Sequence, residues 1–297
     1  RVRGSTIRVL IINSNYISFN MKIELVSAVT KNCLKDFLLM KKSLEMHHDV
    51  NFNVACDAYC FEYLNGNFKN VQCEQFITSE GADHVRGGES EKQDFIQIIK
   101  SKFDVAMKVL SSSDFILWCD VDHIFFNKFE EKILDISSTK LLDAALTPHF
   151  SDGFADEKTV GYYNCGFVFI SKKEFLEMWS RLFNMHKELN LYFEQKPLEL
   201  CTQSFNTVTL PINYNIGWWK FMGANGEARQ KSIAVEDTIK FMGRDLINFH
   251  FNFFKETKHG YNQESFRDMI KQLLRARGTT KDQILLHEIE RLSNEDI

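Results

Sequence analysis

An uninterrupted apolar run at residues 115–119 ends in two carboxylates two positions apart, Asp120 and Asp122. A strand that is apolar on both faces belongs in the middle of a mostly parallel sheet covered by helices. Open sheets of this kind bind ligands at the carboxyl ends of their strands. Two unpaired carboxylates there would repel each other and lose hydration, so the pattern favours a divalent cation site. A helix cap followed by a turn is the alternative.

The rest of the chain alternates strand and helix signals. Short β-branched and aromatic runs predict strands, and apolar residues every three or four positions predict helices. We therefore expect an α/β fold with a mixed, mostly parallel sheet flanked by helices and with helical additions at the C-terminus. The predicted strands are 23–29, 52–56, 71–77, 115–119, 141–146, 160–170, 207–214 and 246–251, and the predicted helices are 36–48, 90–111, 172–191 and a tail at 263–292.

Composition removes several classes of function. The chain has 36 Lys and Arg against 40 Asp and Glu, a net charge of -4 that provides no basic surface for a nucleic acid. The apolar stretch at 7–12 is too short to span a bilayer, so membrane association is not indicated. The 7 cysteines include no C-x-x-C pair, and we expect them to be reduced in a cytoplasmic protein. Residues 1–20, before Met21, are interpreted as an N-terminal extension outside the domain.

Two further segments place polar residues inside apolar strands. In 162–170, Asn164 and Gly166 interrupt an apolar run, so that an amide can face a cleft and a ligand can approach the backbone. In 248–252, His250 alternates with phenylalanines. A histidine in that setting is more often a core residue, but two carboxylates that need further ligands favour His250 as a metal ligand.

These motifs together resemble the nucleotide-diphospho-sugar glycosyltransferases of the GT-A fold, and most closely the DxD-containing members that retain configuration. The resemblance covers roughly 22–254 and rests on the Asp-Val-Asp strand end at 120–122, the Tyr-Asn-x-Gly-Phe strand at 163–167, the Gln-containing segment 201–206 and the Phe-His-Phe at 249–251. It implies a Rossmann-like GT-A domain at 21–260, with a nucleotide-sugar half at about 21–125 and an acceptor half at about 126–260, followed by C-terminal helices at 261–297.

The resemblance also implies a ligand set. Asp120, Asp122 and His250 would hold Mn²⁺ or Mg²⁺ on the diphosphate of a donor, with UDP-sugars favoured, and a hydroxyl of a glycan or glycoconjugate would be the acceptor. Residues expected to contact the nucleotide are Ala28, Val29, Thr30, Asp57 and Val121. Lys102 is expected to contact donor phosphate or sugar, and an ordinary surface lysine is its alternative.

The reacting sugar is expected to meet Asn164 and Gln203. Gln203 matches the amide of a family motif usually written Asp-Gln, which would assist the reaction through its carbonyl. This chain has Thr202 where the motif has Asp, and Glu199 lies one helical turn earlier as a substitute. The departure leaves the sugar and the stereochemical outcome open. Trp218 and Trp219 are expected either to stack on an acceptor sugar or to be buried.

Two other interpretations stay open at this point. A phosphatase of the haloacid dehalogenase type would use Asp120 as nucleophile and Asp122 as general acid. Its Asp-x-Asp-Gly-Thr motif lies near the N-terminus, whereas here the Asp pair is in mid-chain and is followed by His123. The second alternative is a scaffold that binds a nucleotide-sugar without catalysis, to which the departure at Thr202 gives some support.

Overall fold

The computed structural model describes residues 22–78, 89–129, 142–149, 154–221, 225–256 and 262–297. The predicted extension at 1–20 lies outside these residues. The strands are β1 Ile23–Val29, β2 Val50–Cys56, β3 Val71–Gln75, β4 Ile116–Cys119, β5 His123–Phe125, β6 Ala144–Pro148, β7 Tyr163–Ile170, β8 Thr207–Thr209, β9 Ile216–Gly217, β10 Ile233–Val235, β11 Ile239–Phe241, β12 Arg244–Asp245 and β13 Asn248–His250. The helices are α1 Leu34–Glu45, α2 Ala58–Asn67, α3 Glu89–Leu110, α4 Phe154–Val160, α5 Lys173–Asn184, α6 Gln195–Cys201, α7 Gly226–Lys231, α8 Gln263–Arg277 and α9 Thr280–Asn294, with 3-10 turns at Lys31–Cys33 and Trp218–Phe221.

A 7-stranded sheet with the order β3-β2-β1-β4-β7-β6-β8 forms the centre of the fold. Strands β1 to β4 pair in parallel, whereas β7 runs antiparallel to both β4 and β6. The predicted mixed, mostly parallel sheet is therefore confirmed. Strand β4 lies in the middle of the sheet and is buried throughout, as its apolar sequence requires.

Helices cover both faces of this sheet because neighbouring strand residues point to opposite sides. In β1, Leu25 belongs to the hydrophobic cluster that includes residues of α1 and the C-terminal helices, whereas Val26 belongs to the cluster that includes residues of α3 and α5. Both residues are fully buried. The helix predicted at 172–191 ends earlier, at Asn184, and is followed by turns in which Asn190 (φ 51) and Phe193 (φ 41) are left-handed.

The C-terminal tail is helical, as predicted, and forms two helices that break at Gly278. Gly278 adopts φ 67, a left-handed conformation that favours glycine and ends α8. The first turn of α9 is capped by Thr279, and Leu285 and Ile289 of α9 belong to the same hydrophobic core as α1. The assignment of 261–297 as additions to a domain ending at 260 stays a prediction.

Two small sheets complete the described structure. Strand β13 pairs antiparallel with β5 and parallel with β9, and β10, β11 and β12 form an antiparallel meander. Neither the meander nor α2 was predicted from the sequence, and β8 covers only the first part of the strand predicted at 207–214. All seven cysteines are free. Within the described ranges, no helix is both long and apolar enough to cross a bilayer.

Candidate active site

Three potential metal ligands meet at the carboxyl end of β4. One ligand atom from each of Asp120, Asp122 and His250 lies within 4.8 Å of the other two. His250 Nε2 is 3.1 Å from Asp122 Oδ1 and 3.8 Å from Asp120 Oδ2. The structure thus brings together the three residues that the sequence nominated, although they come from distant parts of the chain.

Strand pairing accounts for this convergence. Asp120 leaves β4 with its backbone N–H donating to Gly166 O at 2.9 Å, which fixes it against β7. His250 ends β13, which pairs with β5 directly after Asp122, and Phe251 N donates to Asp122 O at 2.8 Å. The backbone of the last strand is therefore tied to the residue whose side chain faces it.

Charges of both signs balance in the cluster. The ammonium of Lys102 donates to Asp120 Oδ1 at 2.8 Å and lies 4.3 Å from the centre of the Trp118 ring. Burial by itself would raise the pKa of both carboxyl groups, but Lys102 outweighs it at Asp120 and His250 outweighs it at Asp122, so both pKa values are lowered. Burial opposes protonation of His250, yet Asp122 raises its pKa above the ordinary value. Both carboxylates are therefore ionised at neutral pH.

Asn215 fixes the orientation of His250. The Nδ2 group of Asn215 donates to Thr147 Oγ1 at 2.7 Å and to Asn164 Oδ1 at 2.8 Å, so its Oδ1 must be the acceptor toward the ring. That oxygen is 2.8 Å from His250 Nδ1, which therefore carries hydrogen. Nε2 faces the carboxylates and can present a lone pair to a metal when it is deprotonated.

Asn215 was not identified from the sequence. Its left-handed φ of 51 in Asn213-Tyr-Asn215-Ile-Gly is a conformation that asparagine tolerates.

A second buried histidine supports the cluster from behind. His123 Nε2 donates to Gly166 O at 3.0 Å, and its Nδ1 accepts from Asn248 Nδ2 at 2.6 Å. Burial, followed by repulsion from His250, lowers the pKa of His123 to about 3. The His123 ring is therefore neutral and lies 4.1 Å from the His250 ring, centre to centre. A lone pair that accepts from Asn248 is not available to a metal, so we assign His123 a supporting role.

Gly166 is required by close packing. A Cβ at this position would lie 2.3 Å from His250 Cε1 and 2.8 Å from Asp120 Oδ2. The space beside Gly166 is thus taken by residues of the cluster, and the predicted approach of a ligand to its backbone stays a prediction. Asn164, two residues earlier in β7, is buried, and its Oδ1 accepts from Gly166 N at 2.9 Å.

The indole of Trp219 lies beside the cluster. Its Nε1 donates to His149 O at 2.9 Å, and its ring centre is 5.1 Å from that of His250. Trp219 and Trp218 are both half-buried, so part of each ring is accessible. Tyr162, directly before β7, is 39% exposed and adds a third accessible aromatic ring.

The residues expected at the nucleotide end are all buried. Ala28 and Val29 end β1, and Thr30 follows them at 0% exposure. Asp57 is also 0% exposed, and its carboxylate accepts from Lys31 N and from Cys60 N, each at 2.9 Å. This carboxylate joins the ends of β1 and β2 and caps α2, which accounts for its burial. Contact of these residues with a nucleotide stays a prediction.

Lys102 is not a surface lysine. It projects from α3 into the sheet edge at 1% exposure and pairs with Asp120. Val121, between the two carboxylates, is 6% exposed. The predicted contact of Lys102 with donor phosphate is not tested by the structure, whereas its contact with a carboxylate of the cluster is observed.

The structure offers two candidates for the amide expected near the sugar, and the contact itself stays a prediction. Gln203 is exposed on the turn after α6, and no hydrogen bond of its side chain joins it to the cluster among the described residues. A second acid-amide pair, Glu194 and Gln195, is 3% and 5% exposed and faces β7, where Cys165 Sγ lies 3.1 Å from Glu194 Oε1. Sequence analysis missed this pair, although an adjacent Glu-Gln is the signal that could have identified it. Glu199 accepts from Tyr162 N at 2.8 Å.

Comparisons with known proteins support the fold. No family model matches the chain, and no curated protein matches its sequence. The galactosyltransferase LgtC, solved in complex with donor and acceptor sugar analogs, is 14% identical with a TM-score of 0.51, over 83% of this chain and 95% of LgtC. The glycosyltransferase GlyE of Streptococcus pneumoniae TIGR4 is 15% identical with a TM-score of 0.57, over 93% of this chain but only 66% of GlyE. The chain has the GT-A fold of these structures.

Proposed function

We propose that this protein is a metal-dependent glycosyltransferase, which moves a sugar from a nucleoside-diphosphate donor, with a UDP-sugar favoured, to a hydroxyl of a glycan or glycoconjugate. The observation that carries the proposal is the convergence of Asp120, Asp122 and His250 within 4.8 Å at a strand end of a GT-A fold. The similarly folded LgtC was solved in complex with donor and acceptor sugar analogs, and this supports the same classes of partner here.

The donor set fits a divalent cation of the Mn²⁺ or Mg²⁺ kind. Two ionised carboxylates offer hard oxygen ligands, and the Nε2 of His250 adds a nitrogen that Mn²⁺ accepts more readily than Mg²⁺ does. A bound cation would stabilise the charge that develops on the leaving diphosphate. Asp120, Asp122 and His250 would hold it.

The surrounding residues keep the cluster in order. Lys102 occupies one oxygen of Asp120, so the other oxygen remains directed toward His250. Asn215 keeps the protonated Nδ1 of His250 away from the carboxylates. Because these partners are themselves buried, the ligand geometry is set before any donor binds, which is the arrangement that favours catalysis by positioning.

For the sugar transfer itself we propose that Asn164 and an amide carbonyl line the reacting face of the donor sugar. Retention of configuration would then need alignment and proton uptake by the leaving phosphate, without a strong base from the protein. Gln203 was the residue expected from the sequence, and the buried Gln195 beside Cys165 is the second candidate. The half-exposed Trp219 ring would offer a stacking surface to an acceptor sugar.

The test of the proposed function is calorimetry of UDP and GDP binding, each with Mn²⁺ and with EDTA. We expect saturable binding of one nucleotide that depends on Mn²⁺. Asp122→Asn should fold but lose this binding, whereas Asp49→Asn, an exposed carboxylate outside the site, should retain it. Hydrolysis of p-nitrophenyl phosphate with Mg²⁺, and no nucleotide binding, would instead establish a phosphatase. Metal-dependent nucleotide binding without sugar transfer or donor hydrolysis would indicate a scaffold.

Two glutamine variants separate the candidates for the amide. Gln195→Ala and Gln203→Ala should both bind the nucleotide, because neither residue is proposed to hold the metal. The variant whose donor turnover falls by about 10-fold or more, at unchanged nucleotide affinity, identifies the residue near the reacting carbon. Wild-type donor turnover in both variants would show that neither glutamine side chain takes part in the transfer.

A further inference from the structure

A cavity of about 870 Å³ lies at the other end of the small sheet from the metal-ligand cluster. Strand β5 begins next to Asp122 and leads to Phe126, and β13 begins after Ile247 and leads to His250, so both strands connect the two sites. A strand advances about 3.3 Å per residue, which puts Phe126 roughly 13 Å from Asp122. The cavity shares no lining residue with the cluster, and its size is typical of a site for a small molecule.

One wall of the cavity is cationic. It is formed by Lys128 after β5, Arg277 at the end of α8 and Lys281 at the start of α9. In the part of the chain that the structure describes, neither Lys128 nor Lys281 has a carboxylate within ion-pair distance. The positive end of α9 faces the same space and adds to its positive potential.

Two members of this wall are held in place by neighbouring groups. Arg277 donates from Nε and Nη2 to the buried Asp282 and from Nη1 to Phe126 O at 3.2 Å. Lys281 Nζ donates to Met46 O at 2.6 Å and lies 3.3 Å from His47 Nδ1, so one N–H of its ammonium remains for a ligand. Arg277 and Lys281 are therefore in place before any ligand arrives.

The positive charges of this wall repel one another, and the repulsion affects the pKa values of its members. Burial, and after it repulsion from Lys128 and Arg277, lowers the pKa of Lys281. Burial, and after it Lys281, lowers the pKa of His47 to about 3, so this neighbouring ring is neutral and adds no charge. An anion between these side chains would relieve the repulsion.

The opposite wall carries side chains of both signs. Asp237 and Asp245, from the meander of β10 to β12, line the cavity and are exposed to solvent. Lys240 and Arg244 of the same meander line it too, and Lys240 is paired with Glu236. Asp245 Oδ1 accepts from Thr238 Oγ1 at 2.5 Å, which leaves its second oxygen able to accept another hydrogen bond. Carboxylate oxygens at this position would accept hydrogen bonds from hydroxyls.

We propose that this cavity binds a phosphorylated sugar, with the phosphate on Lys128, Arg277 and Lys281 and the sugar hydroxyls on Asp237 and Asp245. A free phosphate ion would fill only a small part of the volume and would leave the carboxylates without a partner. This site does not depend on the proposed transferase activity, and it requires no divalent cation.

The test is calorimetry on the full chain in EDTA and low salt, with glucose 1-phosphate, inorganic phosphate and glucose as probes. We expect saturable binding of glucose 1-phosphate, weaker binding of phosphate, and none of glucose at the same concentrations. Added salt should weaken the binding. Asp122→Asn should bind glucose 1-phosphate as the wild type does, so a failure of the proposed metal site would leave this result unchanged.

A double variant and a charge-matched control test the location. Lys128→Gln with Lys281→Gln should weaken glucose 1-phosphate binding by about 10-fold or more, since it removes two charge-assisted contacts. Lys42→Gln with Lys69→Gln removes the same charge from exposed positions outside the cavity and should change the affinity less than about twofold. Asp245→Asn should bring the affinities for glucose 1-phosphate and phosphate closer together.

Three results would overturn the proposal. If neither glucose 1-phosphate nor inorganic phosphate binds saturably, the cavity is not a phosphate site. Equal weakening in the two double variants would show that only net charge is sensed. Equal affinity for phosphate and glucose 1-phosphate in the wild type would refute the proposed role of Asp237 and Asp245 in binding the sugar.

Discussion

Substitution of Gly166 by alanine is the sharpest test of the metal-ligand cluster. The added Cβ would lie 2.3 Å from His250 Cε1, 2.8 Å from Asp120 Oδ2 and 2.9 Å from Asn164 Oδ1. An ordinary contact starts near 3.4 Å, so the His250 ring must move by roughly 1.1 Å. Three groups of the site meet the one added methyl, and relaxation in any direction displaces at least one of them.

Two effects of different size follow. Overpacking of this kind costs about 1–3 kcal/mol of unfolding free energy, which corresponds to a decrease in Tm of roughly 2–10 °C. A displacement of about 1 Å at a metal ligand costs on the order of 100-fold in function. We therefore expect a folded variant whose Mn²⁺ affinity falls far more than its stability.

The assay is a Mn²⁺ titration followed by the EPR signal of the free ion, with a thermal melt of each variant in EDTA. Gly66→Ala is the matched control, because a Cβ at Gly66 has nothing within 4 Å. This control should bind Mn²⁺ normally and melt at or slightly above the wild-type temperature. Wild-type Mn²⁺ affinity in Gly166→Ala would refute the assignment of His250 and Asp120 as ligands.

Four further outcomes test the surroundings of the cluster. Mn²⁺ affinity should fall about tenfold per pH unit below the raised pKa of His250, because a proton competes for Nε2, and the same titration at several pH values checks this. The stability of the metal-free protein should change with pH in the opposite direction. The raised pKa of His250 stabilises the fold at low pH, and this contribution is lost as the pH rises through that pKa; thermal melts in EDTA at several pH values would show it. Asn215→Ala should weaken Mn²⁺ binding about 10- to 100-fold in the EPR assay through loss of the Nδ1 acceptor, and an unchanged affinity would contradict the role of Asn215. Asp36→Ala should cost about 2–4 kcal/mol in urea unfolding, since Asp36 accepts from the backbone N–H of Phe253, Phe254 and Lys255; a loss below 1 kcal/mol would argue against this anchor.

The strands of the central sheet could be predicted because their sequences are dominated by burial. Strand β1 was predicted at 23–29 and is observed at Ile23–Val29, and the apolar run before Asp120 indicated a central strand. Helix α2 was missed because its apolar residues follow no clear helical period and Gly66 interrupts it. The meander of β10 to β12 was missed because its strands have at most 3 residues, which is too short for a period to appear.

The side chains of the site could be predicted to the extent that their chemistry is unusual for their sequence context. Two carboxylates after an apolar strand and a histidine between phenylalanines stand out, and the structure brings them together. Asn215 does not stand out, because only strand pairing places its amide against His250. Lys102 could not be decided from sequence, since the same helical spacing allows a surface lysine and a buried partner of Asp120.

The balance of charge in the cluster predicts how a metal and a nucleotide influence each other. Without a metal, and below the raised pKa of His250, the carboxylates of Asp120 and Asp122 are offset by Lys102 and by a protonated His250, so the site is close to neutral. Binding of a divalent cation expels the proton from His250 and leaves one excess positive charge, which a diphosphate would neutralise. We therefore expect Mn²⁺ to bind more tightly with UDP present, and UDP affinity to rise by the same factor with Mn²⁺. Lys69→Gln, outside the site, should leave that factor unchanged. Equal Mn²⁺ affinities with and without UDP would show that the cluster does not act on the nucleotide through its charge.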